Sequence, residues 1–309
     1  MNLSQARKLG RKLLVESPTP ELDTDCILQD ILKCDRTFLL FHGERELTQS
    51  EEEDFNEKIT RRKTGLPVAY ITGHKEFYGF DFLVTPSVLI PKPDTELLVE
   101  NALEAIKKIR GENPGGTIAI CDICTGSGCV GLSILKTLTE NLPGKKSDDT
   151  SIPSLTLSDI SPDALEIAEK NISHLGLDAY RGRIKTTLGN LFENTPGPYN
   201  LIVSNPPYIP AKETRELLTD GRSEPILALD GDTMEKENPQ GDGLSIMRQL
   251  VPQAYERLTP GGILIVESGE YNAEKTRDIF LSTGFHDVKL TSDLAGLLRN
   301  TSGARPEKV

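Results

Sequence analysis

From residue 117 onward the chain repeats one unit, a short apolar run, a loop and an amphipathic helix, and few folds accommodate that repetition. Thr117, Ile118, Ala119, Ile120 and Cys121 form a run long enough for a buried strand and too short for a helix. A glycine-bearing loop and an apolar helix over 130–138 follow. Further strands are predicted at 155–159, 184–188, 201–204 and 262–267, with helices over 162–175 and 244–258. Strands separated by helices pair in parallel, so the expected fold class is α/β, a doubly wound Rossmann-like sheet. Residues 140–153 are polar and rich in Gly, Lys, Asp and Ser, which makes them a loop insertion with no assigned role.

The first part of the chain has a different grammar. Leu3, Ala6, Leu9, Leu13 and Leu14 share one helical face that ends at Pro18-Thr19-Pro20. Apolar stretches follow at 26–32 and 38–41. Thr48-Gln49-Ser50-Glu51 reads as a capping box opening a charged helix that turns Phe55 and Ile59 inward and stops at Gly65. Residues 68–90 are aromatic and β-branched, the pattern of a β-hairpin connector. Pro91-Lys92-Pro93-Asp94 then opens a helix over 97–109. The expected division is a helical domain over 1–66, a hairpin linker over 67–91 and an α/β domain over 92–309.

Bulk properties narrow the function classes. Among 309 residues no apolar run is long enough to span a bilayer. The N-terminus lacks a secretory apolar core, so a cytoplasmic protein is expected; a monomer is expected as well. A net charge of −12 argues against a protein built to grip nucleic-acid phosphates and favours protein or small-molecule partners. Five cysteines give no disulfide framework. Cys121 and Cys124 spell C-x-x-C, but Cys26, Cys34 and Cys129 supply no second pair for zinc, so small buried residues are expected there. The four histidines are scattered, and no metal site is expected.

Asp122-Ile123-Cys124-Thr125-Gly126-Ser127-Gly128 sits where the first strand yields to a helix. Glycines there let the backbone approach a ligand closely. Gly126, Gly128 and Gly131 also satisfy G-x-G-x-x-G, and Asp159 ends the second strand, where a carboxylate can accept from ribose hydroxyls. NAD and S-adenosylmethionine both remain candidates on this motif. Asp122 favours the second, because a carboxylate at that place repels a pyrophosphate and tolerates a sulfonium ligand.

Asn205-Pro206-Pro207-Tyr208 follows the fourth strand, at the strand end where open α/β sheets bind ligands. The Asn205 side-chain oxygen and the Pro206 carbonyl can together accept both hydrogens of an NH2 group. Tyr208 offers a flat face for a planar amide or base. Two accepted hydrogen bonds hold a delocalised nitrogen in line for methyl transfer and favour the charge it gains in the transition state.

Together these residues resemble the release-factor glutamine methyltransferases, a class I methyltransferase family acting on the Gly-Gly-Gln glutamine of class 1 peptide chain release factors. The likeness covers almost the whole chain. It includes the helical region, Glu76-Phe77-Tyr78-Gly79, the segment from Val88 through Pro91-Lys92-Pro93-Asp94-Thr95-Glu96, the Thr125 to Gly128 loop, Asp159-Ile160-Ser161-Pro162, Gly189-Asn190-Leu191-Phe192, the Asn-Pro-Pro-Tyr tetrad and Glu224-Pro225. It implies S-adenosylmethionine held by Asp122, Thr125, Gly126, Gly128, Asp159, Asn190 and Asn205. It implies a glutamine amide held by Asn205, Pro206, Pro207 and Tyr208, with the helical domain and hairpin docking the release factor. Two positions depart from the family pattern: Cys124 stands where many members have glycine, and Lys92 where many have arginine. Lysine keeps the charge but loses the planar fork.

Three rival readings stay open. A sister family methylates a glutamine of a ribosomal protein and shares the tetrad. Adenine methylation would use the same acceptor pair, but it requires base flipping and a basic groove, neither of which the sequence suggests. A nicotinamide dehydrogenase is the third, and a non-catalytic binding module comes after all of them, because the tetrad and the glycine loop would then have no joint purpose.

Overall fold

A computed structural model describes residues 1–112, 115–140, 152–219, 224–232 and 241–307. The body of the polar insertion expected over 140–153 lies outside the described residues. The chain divides into two units, Met1–His74 with Glu216–Ser223, and Lys75–Arg215 with Glu224–Val309.

The first unit carries helices α1 (Leu3–Leu13), α2 (Pro20–Leu32), α3 (Arg36–Phe41), α4 (Gln49–Lys63) and α5 (Val68–Thr72). Leu3, Ala6, Ile27, Leu28, Leu39, Phe55 and Ile59 form its core. The capping box at α4 is formed: Thr48 accepts from the Glu51 main-chain N–H, and Glu51 accepts from that of Thr48. A second box at α1, Asn2 with Gln5, was not foreseen. Charge also reaches the interior. Arg7 donates to both oxygens of the fully buried Asp25 at 2.8 Å, a two-pronged contact that satisfies the carboxylate.

Residues 68–72 correct the hairpin expectation. They form α5, capped by Gly73 in the left-handed region at φ 79°, with Tyr70 and Ile71 buried. The hairpin is shorter, β1 (His74–Phe77) and β2 (Phe80–Leu83), turned by Tyr78 and Gly79 at φ 54° and 74°. Aromatic content alone did not separate a one-turn helix from a strand.

The second unit is the expected doubly wound sheet. Its strands are β3 (Ala119–Ile123), β4 (Ser154–Asp159), β5 (Ile184–Leu188), β6 (Tyr199–Ser204), β7 (Leu258–Glu267), β8 (His286–Ser292) and β9 (Leu298–Ala304), in the order β5-β4-β3-β6-β7-β9-β8. The first five pair in parallel; β9 runs antiparallel to both β7 and β8. Its helices are α6 (Glu96–Glu112), α7 (Cys129–Glu140), α8 (Pro162–His174), the first part of α9 (Ala211–Thr219), whose residues from Glu216 belong to the first unit, α10 (Ser245–Arg257) and α11 (Ala273–Thr283).

Strand residues feed two cores in alternation. Ile120, Leu201, Val203 and Ile265 join one with Leu98, Leu132 and Ala168 of α6, α7 and α8. Cys121, Ile202, Leu264 and Val266 join the other with Leu250 and Phe280 of α10 and α11. Burial on both faces explains why the central strands read as continuous apolar runs. No helix among the described residues is long and apolar enough to cross a membrane.

Candidate active site

β3, β4 and β6 end side by side, with Ile123 opposite Ser158 and Ser204. Beyond those ends lies a cavity lined by Asp122, Thr125, Gly126, Asp159, Asn190 and Asn205, and covered by residues of the 87–92 and 225–228 segments. Every cofactor residue expected from sequence except Gly128 lines it. Gly128 plays a packing part: at φ 81°, an added Cβ would lie 2.8 Å from Leu132. Gly126 differs. At φ 55° its added Cβ would meet nothing within 4 Å, so the backbone there borders open space that a side chain would invade.

Two carboxylates shape this loop. Asp122 is 1% exposed, and its Oδ2 accepts from Thr125 Oγ1 at 2.6 Å and from the Gly131 N–H at 3.0 Å. Burial lifts its pKa to about 7, against the pull of those two donors. Asp159 accepts from the Gly126 N–H at 2.8 Å and the Ser161 N–H at 2.9 Å, one on each oxygen. Burial raises its pKa too. Each Asp159 oxygen retains acceptor capacity for a ligand hydroxyl. Lys92 is the single basic side chain lining the cavity among the described residues, and Glu224 binds it at 2.7 Å. A cavity with two carboxylates and a neutralised lysine fits a cationic cofactor and disfavours a pyrophosphate.

Asn205 lies at the edge of the same cavity. Its Nδ2 donates to Thr95 Oγ1 at 3.1 Å, which leaves Oδ1 as the free acceptor of that amide. Pro207 also lines the cavity, whereas Pro206 and Tyr208 do not. Among the described residues no main-chain donor takes the Pro206 carbonyl. Tyr208 is engaged at both ends: its hydroxyl donates to Glu267 Oε1 at 3.3 Å, and its carbonyl accepts from Asn272 Nδ2 at 3.1 Å. Burial, then the Glu267 charge, push the Tyr208 hydroxyl far above its ordinary pKa, so it stays a donor.

Sequence reasoning missed several residues that build this edge. Thr95, 2% exposed, sits in a single 3-10 turn (Pro93–Thr95) ahead of α6. Glu267 ends β7 at 2% exposure, and burial lifts it to about 7 while the nearby Thr95 and Tyr208 hydroxyls oppose the rise. Asp232, also buried, accepts from the Ala211 and Gly243 N–H groups behind the tetrad. Gly243 lies so close to the tetrad that an added Cβ would stand 2.2 Å from the Tyr208 carbonyl oxygen. Asn171, fully buried, bridges the Leu83 main chain and the Ser127 carbonyl, tying β2 to the glycine loop.

Residues 5–73 match the PrmC N-terminal domain family, and residues 95–222 match the methyltransferase small domain family. A release factor glutamine methyltransferase of Koribacter versatilis is 36% identical over 312 residues, covering 99% of each chain. One from Leptospira interrogans is 38% identical over 285 residues, covering 91% of this chain and 90% of its own. The chain belongs to the release factor glutamine methyltransferase family.

The two departures from the pattern of release factor glutamine methyltransferases acquire a physical meaning here. Cys124 has φ 59°, a left-handed conformation in which glycine is at ease and a side chain is strained. Burial raises its thiol pKa, which keeps it protonated. Lys92 reaches Glu224 Oε1 with one ammonium, where a guanidinium could take both oxygens. Glu224 is 7% exposed and also accepts from the Ile90 N–H at 3.4 Å, so it pins the two segments that cover the cavity.

Proposed function

We propose that the chain transfers a methyl group from S-adenosylmethionine to the side-chain amide nitrogen of a glutamine, that of the Gly-Gly-Gln motif in a class 1 peptide release factor. The observation that carries this reading is the place of Asn205 at the cavity edge, where its NH2 end donates to Thr95 and its carbonyl oxygen has no hydrogen-bond partner among the described residues. The relatives' names support the same chemistry.

S-adenosylmethionine supplies an electrophilic methyl on a sulfonium. Gly126, Asp122 and Asp159 fit that ligand, because the first leaves room at the backbone and the others make the cavity acidic. Asn205 Oδ1 and the Pro206 carbonyl are the two acceptors for the glutamine NH2. Accepting both hydrogens holds the nitrogen in place and offsets the positive charge it gains in the transition state. The nitrogen would take the methyl as the methyl–sulfur bond breaks, leaving a neutral thioether, and would give a proton to solvent afterwards, so no base is required before transfer. Tyr208 supports the tetrad from behind, and residues 1–66 with the hairpin serve to dock the release factor.

Retention of labelled S-adenosylmethionine against NAD tests the cofactor, and label on a recombinant class 1 release factor tests the substrate. Label on the factor, with none on a version whose motif glutamine is alanine, is expected. NAD retention in place of S-adenosylmethionine would overturn the first part, and label on a ribosomal protein alone would overturn the second.

A further inference from the structure

An asparagine that stands just ahead of a helix usually turns its side-chain oxygen onto the first free N–H groups of that helix. Asn272 occupies that place before α11, 2% exposed, and makes no such contact. Its Oδ1 has no hydrogen-bond partner among the described residues. The main chain is fixed without a cap. The Asn272 N–H donates to the Gly269 carbonyl at 3.1 Å, and the Asn272 carbonyl accepts from the Thr276 N–H at 2.9 Å and the Thr276 hydroxyl at 3.0 Å. The side chain turns to the tetrad instead, where Nδ2 donates to the Tyr208 carbonyl at 3.1 Å across 64 residues of sequence. A carbonyl only accepts, so the NH2 end is the one that faces it. A helix start that forgoes its local cap for a distant contact to the reacting loop marks a position serving that loop.

The tetrad is a short strap whose direction is set at its two ends. Between them, Pro206 and Pro207 lock φ at two successive residues, so the strap bends little along its length. At one end Ser204 closes β6, fully buried, and its hydroxyl donates to the Ile123 carbonyl at 2.6 Å. At the other end the Tyr208 main chain lies against two glycines. An added Cβ at Gly231 would stand 2.8 Å from the Tyr208 Cα, and one at Gly243 closer still to the Tyr208 carbonyl oxygen. That carbonyl has two side-chain donors. The Tyr271 hydroxyl reaches it at 3.4 Å from a ring that is 53% exposed, where water competes, so the buried Asn272 amide is the firmer hold.

We propose that Asn272 is a positioning residue for methyl transfer: by holding the Tyr208 carbonyl it aims the Pro206 carbonyl, two residues back along the strap, at the glutamine NH2. The inference rests on the glutamine-methylation reading above. Asn272 exchanges no proton and touches no reacting atom. Its contribution is the placement of one of the two acceptors, and a displacement of about 1 Å at a reacting centre is enough to slow transfer by on the order of 100-fold.

The test uses substitutions that separate capping α11 from holding the tetrad. Serine is a good cap but too short to reach the Tyr208 carbonyl, whereas glutamine keeps an NH2 donor and is a poor cap. Transfer by wild type to a class 1 release factor is measured first. Failure of wild type to methylate any glutamine overturns the underlying reading and this inference with it; every other outcome bears on the inference alone. Asn272→Ser should lower kcat on the order of tenfold and leave KM for the factor within about twofold. Its calorimetric affinity for S-adenosylmethionine and its melting temperature should stay close to those of wild type. Asn272→Gln should recover much of the lost kcat while melting below Asn272→Ser. A residue that serves only the helix predicts the opposite order, with activity following stability. Wild-type kcat in Asn272→Ser overturns the proposal, as does a ranking of kcat that matches the ranking of melting temperatures. Should Asn272→Ser fail to fold, Asn272→Gln and Asn272→Ala, both poor caps, decide: equal kcat in the two overturns the proposal, and a glutamine variant faster by about fivefold or more upholds it.

Discussion

Asp122 and Glu267 are two carboxylates at the ends of neighbouring parts of one sheet, both nearly inaccessible and both lifted to about 7 by burial. They differ in where their partners come from. Asp122 is held by Thr125 and Gly131, three and nine residues along the chain. Glu267 is held by Tyr208, 59 residues away in the chain. A local brace shapes the loop that carries it. A brace assembled from distant segments joins those segments: Glu267 at the end of β7 holds Tyr208, the last residue of the tetrad that begins with Asn205.

The sharpest division between the two regions comes from Asn205→Ala. Methyl transfer should fall by about 10²- to 10³-fold, the usual consequence of losing one preorganised partner of developing charge. Binding of S-adenosylmethionine should be retained, because the loop around Gly126 and Asp159 is untouched. Near-normal turnover would break the distinction between a holding region and a reacting one.

Asp122→Asn probes the local brace. Both donors converge on Oδ2, so an asparagine oxygen at that place keeps both bonds and removes the buried charge. A folded-state pKa raised above the unfolded one means the native protein binds the proton more tightly. Stability is therefore greatest in acid and is lost as pH rises from the ordinary carboxylate range to about 7. Denaturant melts of the ligand-free protein at about pH 8 should show the variant more stable, by about 2 kcal/mol. A wild-type stability flat between about pH 4 and 7 would contradict this account of Asp122.

A smaller effect is expected from Gly126→Ala. The left-handed φ costs about 1 kcal/mol, and the methyl enters the cavity, so cofactor affinity by calorimetry should fall about tenfold. Unaltered affinity would mean that the open space beside Gly126 is not where the ligand lies. Lys92→Arg should change least. A guanidinium regains a second contact to Glu224 and raises the melting temperature by an amount worth less than about 1 kcal/mol. A drop in melting temperature would show that the lysine geometry is specifically accommodated.

The legible and illegible parts divide along the same physical line. Central strands announce themselves because burial on both faces demands unbroken apolar runs, and the glycine loop because a left-handed backbone beside open space demands glycine. β8 gave no such signal. As an edge strand with most of its residues exposed or half-exposed, it needs no apolar pattern. β9 hides polar residues, Asn300 and Thr301, where periodicity looks for apolar ones. α5 reads as strand in sequence because one buried turn needs only Tyr70 and Ile71, which strands also favour. Glu267 had a faint mark, a carboxylate closing a run of buried apolar residues at the ligand-binding end of a strand. Thr95 had none, since its role exists only once β6 has brought Asn205 beside it.

The most direct test of the central claim is to locate the transferred methyl. After reaction of the protein with deuterated S-adenosylmethionine and a recombinant class 1 release factor, fragment mass spectrometry reads its position. The account predicts one methyl, on the side-chain amide nitrogen of the Gly-Gly-Gln glutamine. A methyl on any other residue of the factor, or none on the factor while another acceptor is labelled, would contradict it.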